Sequence, residues 1–497
     1  MNLYSCFLQK FQNNRKLAFD KSIYSYEDLK LKIDIATEYL NKLKNNNKIL
    51  VLTDNSYHLG VFLLTIARIG KIIIPVNKDL KEKQILDQIS ASNPSVIIYS
   101  KIFKKIISKV KNKILVSSEQ IFNNRLEKYR KGINKMSKKN YMNQSFIITF
   151  SSGTTSNPKP ILFTQKIKYE RYEHIRKLYK IKKRDIILTS SPLDHSLGQR
   201  LFFLAVLTGC NLVYLRKYNL KIWRKIIKKN KVSFAILPSN YLKLLKEDLL
   251  NKRIKIKKIV SAASDINKSD KLLFRKKIDF SEMYGASEIG TITNLSKSAP
   301  INKINSVGKI LSGAEVKIFD KRFNSLSAFK IGKIACKTKL QFKGYYNNKI
   351  LTKRSKVDGF FLTGDLGYVD NDNYLYFVSR ENDVIISSGL NIYSSDVEKE
   401  INEHKNIKEC AVIGLKDDFF GEIVFSICVL KKQKKNFELN LRNFLSNRLA
   451  NYQQPIGYSF INELPKNVLG KILKRDLKKI YNEKSYDFSK NLRSLLN

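Results

Sequence analysis

The segment Ser151-Ser152-Gly153-Thr154-Thr155-Ser156-Asn157-Pro158-Lys159-Pro160 gathers small hydroxyl residues and a lysine. It lies between the apolar run Phe146 to Phe150 and the strand-like Ile161 to Phe163. Backbone N–H groups, hydroxyls and one cation can together cradle a polyphosphate, because each is a donor aimed at negative charge. The spacing is not Gly-x-x-x-x-Gly-Lys-Ser/Thr, so the phosphate loop of kinases and GTPases is excluded. The plainer reading is a Ser/Thr-rich surface turn. Five more short motifs follow: Pro192-Leu193-Asp194-His195-Ser196-Leu197-Gly198, Tyr284-Gly285-Ala286-Ser287-Glu288, Thr363-Gly364-Asp365-Leu366-Gly367, Ser379-Arg380-Glu381-Asn382-Asp383 and Ser388-Gly389-Leu390-Asn391-Ile392. Near the end stand Leu464-Pro465 and Gly470-Lys471. Singly, each has an ordinary explanation: Asp365 as a turn aspartate, His195 as a core histidine, Lys471 as one lysine among very many.

The elements that must position these residues alternate. Ser25-x-x-Asp28 can cap a helix whose apolar residues Leu29, Ile33, Ala36, Leu40 and Leu43 follow helical spacing. Then come a strand (Lys48 to Leu52), a helix (Tyr57 to Ile69), a strand (Ile72 to Val76), a helix (Lys81 to Ser90) and a strand (Pro94 to Tyr99). The pattern resumes with strands at Val232 to Leu237 and Lys257 to Val260, and helices at Tyr241 to Leu249 and Lys268 to Lys277. Such alternation predicts an α/β fold with doubly wound, mainly parallel sheets. From about Arg380 the segments shorten: a helix from Ser395, strands around Cys410 to Ile413 and Val424 to Leu430, and a helix from Phe437. That tail reads as a separate small α+β domain.

At 497 residues the chain can hold two cores, and its 43% hydrophobic content places it among globular proteins. The longest apolar stretch, Leu59 to Val76, is broken by Arg68 and Lys71 and is a poor membrane span. No secretory signal is read at the N-terminus. Five scattered cysteines, never Cys-x-x-Cys, suit a reduced cytoplasm without disulfides or a zinc ribbon. The formal charge of +50 raises nucleic acid or anionic membrane as partners. Yet the lysines run the whole length among Asn and Ile, as codon bias in an AT-rich genome would place them on solvated faces. No zinc-finger, RNP or basic-zipper pattern is present, so no specific nucleic-acid partner is expected. A basic surface would still favour acidic partners.

In order and spacing, over essentially the whole chain, the motifs resemble those of the adenylate-forming (AMP-binding) enzyme superfamily, closest in pattern to the acyl- and aryl-CoA synthetases. The resemblance implies a large domain over 1–381 and a small, mobile lid over 382–497. It implies ATP-dependent activation of a fatty or aryl acid to acyl-AMP, release of pyrophosphate and transfer to CoA. Two anions must then be brought together, which demands cations and directed donors more than an acid or base. Ser151, Ser152, Gly153, Thr154, Thr155 and Lys159 would grip the phosphates, and Glu288 with Thr155 would hold Mg²⁺. Ser287 would donate to the α-phosphate, Tyr284 and Gly285 would pack at adenine, and Asp365 would accept the ribose hydroxyls. Arg380 would contact ribose or phosphate, and His195 would stand at the acyl site. Lys471 would bridge carboxylate and α-phosphate. Asn382 would be the hinge, and Gly389, Leu390 and Asn391 would line the thiol channel.

The chain departs from the family pattern at several places. Ser156 and Pro160 stand where glycine is usual, Ser287 where threonine is, and Asn382 where an acidic residue or lysine is. Lys333 replaces an acidic residue after Gly332. Serine and proline stiffen the phosphate loop, because glycine permits backbone shapes that they do not. Amino-acid-activating members place an aspartate near the position of His195, so an acid without an α-ammonium is expected, although Asp194 stands one residue earlier. Ala262 and Ala263 would narrow the acyl pocket slightly. Two other readings are carried forward: transfer to the phosphopantetheine of an acidic acyl or peptidyl carrier protein, amino-acid substrates included, and a decayed, non-catalytic basic binding protein.

Overall fold

Parallel strands covered on both faces must be apolar at every position, and such runs build the first part of this molecule. The computed structural model describes residues 1–20, 22–43, 47–123, 140–150, 159–216, 219–262, 266–417, 420–432, 437–467 and 470–482. Two compact units emerge: Met1–Ala262 with Leu272–Ile292 and Thr338–Lys356, and Ala263–Lys271 with Thr293–Lys337 and Val357–Asn497.

The first unit contains a seven-stranded sheet ordered Gly344–Tyr345, Pro160–Thr164, Ser145–Phe150, Ile72–Pro75, Lys48–Leu52, Val96–Tyr99 and Ile114–Ser117. Its last five strands are parallel, and the Ser145–Phe150/Pro160–Thr164 pair is antiparallel. A second run of parallel strands joins Asp279–Ala286, Lys258–Ala262, Phe234–Pro238, Ile186–Thr189, Asn211–Tyr214 and Lys16–Phe19. The expected Ser25 capping box is present. Ser25 Oγ accepts from the Asp28 amide at 2.9 Å, and Asp28 Oδ2 accepts from the Ser25 amide at 2.8 Å, opening the helix Tyr26–Lys42. The apolar stretch Leu59 to Val76 is divided between the helix Ser56–Ile69 and the strand Ile72–Pro75. That helix ends on Gly70, whose φ of 68° sends the chain into the strand Ile72–Pro75. Among the described residues no helix is long and apolar enough to cross a membrane. The expected α/β alternation is therefore observed, with element ends shifted by one or two residues.

The second unit contains an antiparallel set that the sequence pattern did not announce: Gly308–Ile310, Tyr374–Arg380, Phe360–Val369, Gly332–Thr338 and Ala314–Phe319. These strands are short or half exposed, as in AEVKIF, so neither an apolar run nor a clean alternation marks them. The expected α+β tail follows a single 3-10 turn, Glu381–Asp383. Its centre is the antiparallel pair Ile407–Asp417 and Gly421–Leu430, whose alternate residues feed two cores. Cys410, Val412, Val424 and Cys428 pack with Val397, Ile401, Leu441 and Leu445, from the helices Ser394–Asn402 and Phe437–Ser446. Ala411, Ile413, Phe425 and Ile427 pack with Leu477 and Tyr481 of the helix Lys474–Asn482. A one-residue slip would exchange the two faces, and that fixes the register.

Candidate active site

In the first unit Lys159, Tyr345 and Glu288 come together. Lys159 immediately precedes the strand Pro160–Thr164, and its Nζ lies 5.8 Å from the centre of the Tyr345 ring. The Tyr345 hydroxyl donates to Glu288 Oε1 at 3.1 Å. Burial first, and then the Glu288 charge, push the Tyr345 pKa upward, so the phenol stays a donor. The Glu288 carbonyl accepts from the Phe342 amide at 2.6 Å. Tyr284, Gly285, Ser287 and Glu288 follow one another at the carboxyl end of the strand Asp279–Ala286, where open parallel sheets place their ligands. Gly285 is required there, because a Cβ would stand 1.9 Å from the Gly290 carbonyl oxygen. His195 occupies the N-cap position of the largely buried helix Ser196–Thr208. Its Nε2 lies 3.4 Å from Asp194 Oδ2. The carboxylate that could have met a substrate ammonium thus faces the neighbouring imidazole. The phosphate-loop candidates Ser151, Ser152, Gly153, Thr154, Thr155 and Ser156 lie outside the described residues.

In the second unit Asp365, Arg380 and Lys471 come together. Asp365 and Arg380 are register partners on Phe360–Val369 and Tyr374–Arg380, and Arg380 Nε lies 2.7 Å from Asp365 Oδ1. Asp365 is buried, its amide donates to Thr363 Oγ1 at 3.1 Å, and Gly364 before it has a φ of 74°. Lys471 follows Gly470, whose φ of 79° turns the chain. Asn467 fixes that turn: its Oδ1 accepts from the Lys471 amide and its own amide donates to the Lys471 carbonyl, each at 2.9 Å. Burial and then the Arg380 charge lower the Lys471 pKa to about 8, against the opposing pull of Asp365 and Asp383. Lys333, the departure after Gly332, ion-pairs with Glu381 at 2.8 Å, next to Asn382. Gly389, Leu390 and Asn391 are exposed on the hairpin Val384–Ser387/Leu390–Tyr393. Ser388 and Gly389, with φ of 49° and 79°, make its two-residue turn.

Sequence reasoning missed Tyr345 and Arg171. The Arg171 guanidinium is buried and bonds the carbonyls of Ser287, Glu288 and Leu340. Its only sequence signal is a helical stripe, Gln165, Lys168, Tyr172 and Ile175, that is buried although it contains a cation. All five cysteines are buried free thiols.

The structure thus gathers two charged groupings, Lys159 and Glu288 with Tyr345 in the first unit, and Asp365, Arg380 and a Lys471 of lowered pKa in the second. Comparison with known proteins gives the class. The AMP-binding enzyme model matches residues 7–346, and the model of the AMP-binding enzyme C-terminal domain matches residues 396–471. The chain belongs to the AMP-binding, adenylate-forming enzyme family. The putative acyl–CoA ligase YdaB of Bacillus subtilis is 27% identical over 88% of this chain and 90% of its own length. Among solved structures, ATP-bound MatB from Rhodopseudomonas palustris has a TM-score of 0.87 at 21% identity, covering 97% of this chain and 99% of its own. The O-succinylbenzoate coenzyme A synthetase of Bacillus subtilis, solved with ATP and magnesium, has a TM-score of 0.83 at 23% identity, covering 96% and 99%. At those identities the two structures establish the fold.

Proposed function

We propose that this chain is an AMP-forming acid–thiol ligase. A carboxylate oxygen attacks the α-phosphorus of ATP, the α–β bridging bond breaks, and pyrophosphate departs with the bonding pair. A thiol then attacks the acyl carbon and AMP leaves. Coenzyme A is the acceptor in this reading, supported by the acyl–CoA ligase similarity. An aryl or fatty acid is the substrate class, supported by the His195 ring against Asp194.

The observation that carries the reading is the gathering of Asp365, Arg380 and Lys471 in one unit, with Lys471 poised near pH 8. In this reading Asp365 receives the ribose hydroxyls, Arg380 and Lys471 meet the α-phosphate and carboxylate, and Ser287 donates to the same phosphate. Ser151 to Thr155 and Lys159 hold the leaving pyrophosphate. Among the described residues no group of three metal-binding side chains exists. Magnesium needs none here, since it is commonly held by one or two carboxylates plus substrate phosphates. Glu288, oriented by Tyr345, fits that demand with Thr155, and Mg²⁺ would neutralise phosphate charge there.

The domain division falls at Asn382 in this reading, leaving 1–381 as the adenylation domain and 382–497 as the mobile lid. The separate matches to 7–346 and 396–471 and the 3-10 turn Glu381–Asp383 support it. Gly389, Leu390 and Asn391 would guide the thiol, and a cytoplasmic setting belongs to the same view. The test is pyrophosphate release from the purified chain against a panel of acids, with no thiol, with CoA or with a carrier protein. Acid-dependent release with thioester formed on CoA is expected. Thioester formed only on the carrier moves the acceptor, and no release with any acid refutes the proposal.

A further inference from the structure

The Arg171 guanidinium has five N–H donors, and the structure uses all five. Nε donates to the Leu340 carbonyl at 2.9 Å. Nη1 donates to the Ser287 carbonyl at 2.8 Å and to Ser196 Oγ at 3.4 Å. Nη2 donates to the carbonyls of Glu288 at 3.0 Å and Leu340 at 2.8 Å. The Leu340 carbonyl accepts twice, and none of the four accepting atoms belongs to a carboxylate. The group stacks on Phe163, 4.6 Å from the ring centre, and a Cβ on Gly290 would come 3.4 Å from its Nε. Burying a charge is costly, and packing alone would be served better by an apolar side chain. The return must lie in what is held.

What is held is the site. Ser287 and Glu288 belong to the nucleotide motif, Ser196 adjoins His195, and Leu340 begins the segment that leads through Phe342 to Tyr345. The Phe342 amide reaches the same Glu288 carbonyl, and the Tyr345 hydroxyl reaches the Glu288 carboxylate. Arg171 therefore ties the backbone of Glu288 to the backbone that carries the orienter of its side chain. From this we infer that Arg171 is a positioning residue for adenylation, which sets Glu288 and Tyr345 in register for the metal-bound phosphates. The inference rests on the adenylation reading above. Lys168 supplies the contrast. It is a buried cation one turn earlier, 4.0 Å over the same Phe163 ring, but its Nζ is bonded to Gln199 Oε1 at 2.7 Å.

Three variants of the full chain test this: Arg171→Met, Arg171→Lys and Lys168→Met. Each is followed by ATP–pyrophosphate exchange against Mg²⁺ concentration, by thermal unfolding, and by amide hydrogen exchange over 284–290 and 338–346. Arg171→Met should raise the Mg²⁺ half-saturation about tenfold or more, the scale for losing an outer-shell partner. It should also speed amide exchange in both segments. Arg171→Lys should restore only part, because an ammonium has three donors and no planar fork. Lys168→Met should lower the unfolding temperature and leave the Mg²⁺ dependence unmoved. An unchanged half-saturation in Arg171→Met, full restoration by lysine, or an equal shift in Lys168→Met overturns the inference. Should Arg171→Met fail to fold, Arg171→Lys carries the test through the same two readouts. If the unaltered chain exchanges pyrophosphate with no acid, the adenylation reading falls, and unchanged amide exchange in the two segments would sink the bracing as well.

Discussion

Raising the pH should switch off adenylation through a single lysine. The Lys471 pKa falls from 10.5 to about 8, chiefly by burial and secondly by Arg380. At pH 7 the side chain is then about nine-tenths charged, and at pH 9 about one-tenth. If the ammonium bridges carboxylate and α-phosphate, kcat/KM for ATP should be level below pH 7.5 and fall about tenfold per unit above 8, since that parameter reports the free enzyme. Asp365→Asn removes a charge that holds the pKa up, so its descending limb should begin at lower pH. Lys471→Arg keeps its charge over this whole range, so whatever activity it retains should show no descending limb.

Stability supplies an independent check of sign. A lysine whose folded pKa is depressed destabilises the fold most below pH 8, where both states are charged. The penalty is relieved as pH climbs from 8 to 10.5, because the native state sheds its proton first. The relief is at most about 3 kcal/mol for a fall to about 8. Relative to Lys471→Met, the unaltered protein should thus gain stability over the interval in which it loses adenylation. The assays are pyrophosphate exchange and denaturant unfolding from pH 6.5 to 10.5, with thioester formation from supplied acyl-adenylate as control. A descending limb near pH 8 in Lys471→Arg would refute the reasoning. So would equal loss of both half-reactions in Lys471→Ala.

Three further substitutions and one binding measurement extend the test. Asp365→Ala should raise the KM for ATP strongly, and an unchanged ATP dependence would remove Asp365 from the ribose. Glu288→Gln should slow adenylation about a hundredfold or more, as for loss of a key electrostatic group, measured as single-turnover acyl-AMP formation. Asn382→Pro, in the 3-10 turn Glu381–Asp383, should spare adenylation and slow thioester formation, provided thermal unfolding stays cooperative. Duplex DNA should bind weakly at physiological salt, with a steep salt slope and no sequence choice. Tight, selective binding at that salt would mean that the +50 charge serves recognition.

The parts of the fold that were legible are those where one rule dominates. Ser25 and Asp28 announce a helix start because each supplies what the other's backbone lacks, and Lys48–Leu52 announces a buried strand because nothing polar interrupts it. The motifs around Glu288, Asp365 and Lys471 were legible through resemblance, not through any local propensity. Arg171 was hidden for the opposite reason. In KIKYERYEHIRK every general rule puts the cations in water, and here two of them, Lys168 and Arg171, are buried. Burial of Arg171 is favourable only because carbonyls from three residues distant in sequence converge on one guanidinium, and no window of sequence contains that convergence. Tyr345 is hidden likewise, since its partner Glu288 lies 57 residues away. A charged residue inside a stripe of otherwise core-facing positions marks where the fold holds something in place. In a chain with 93 lysines and arginines, that position carries more information than the charge itself.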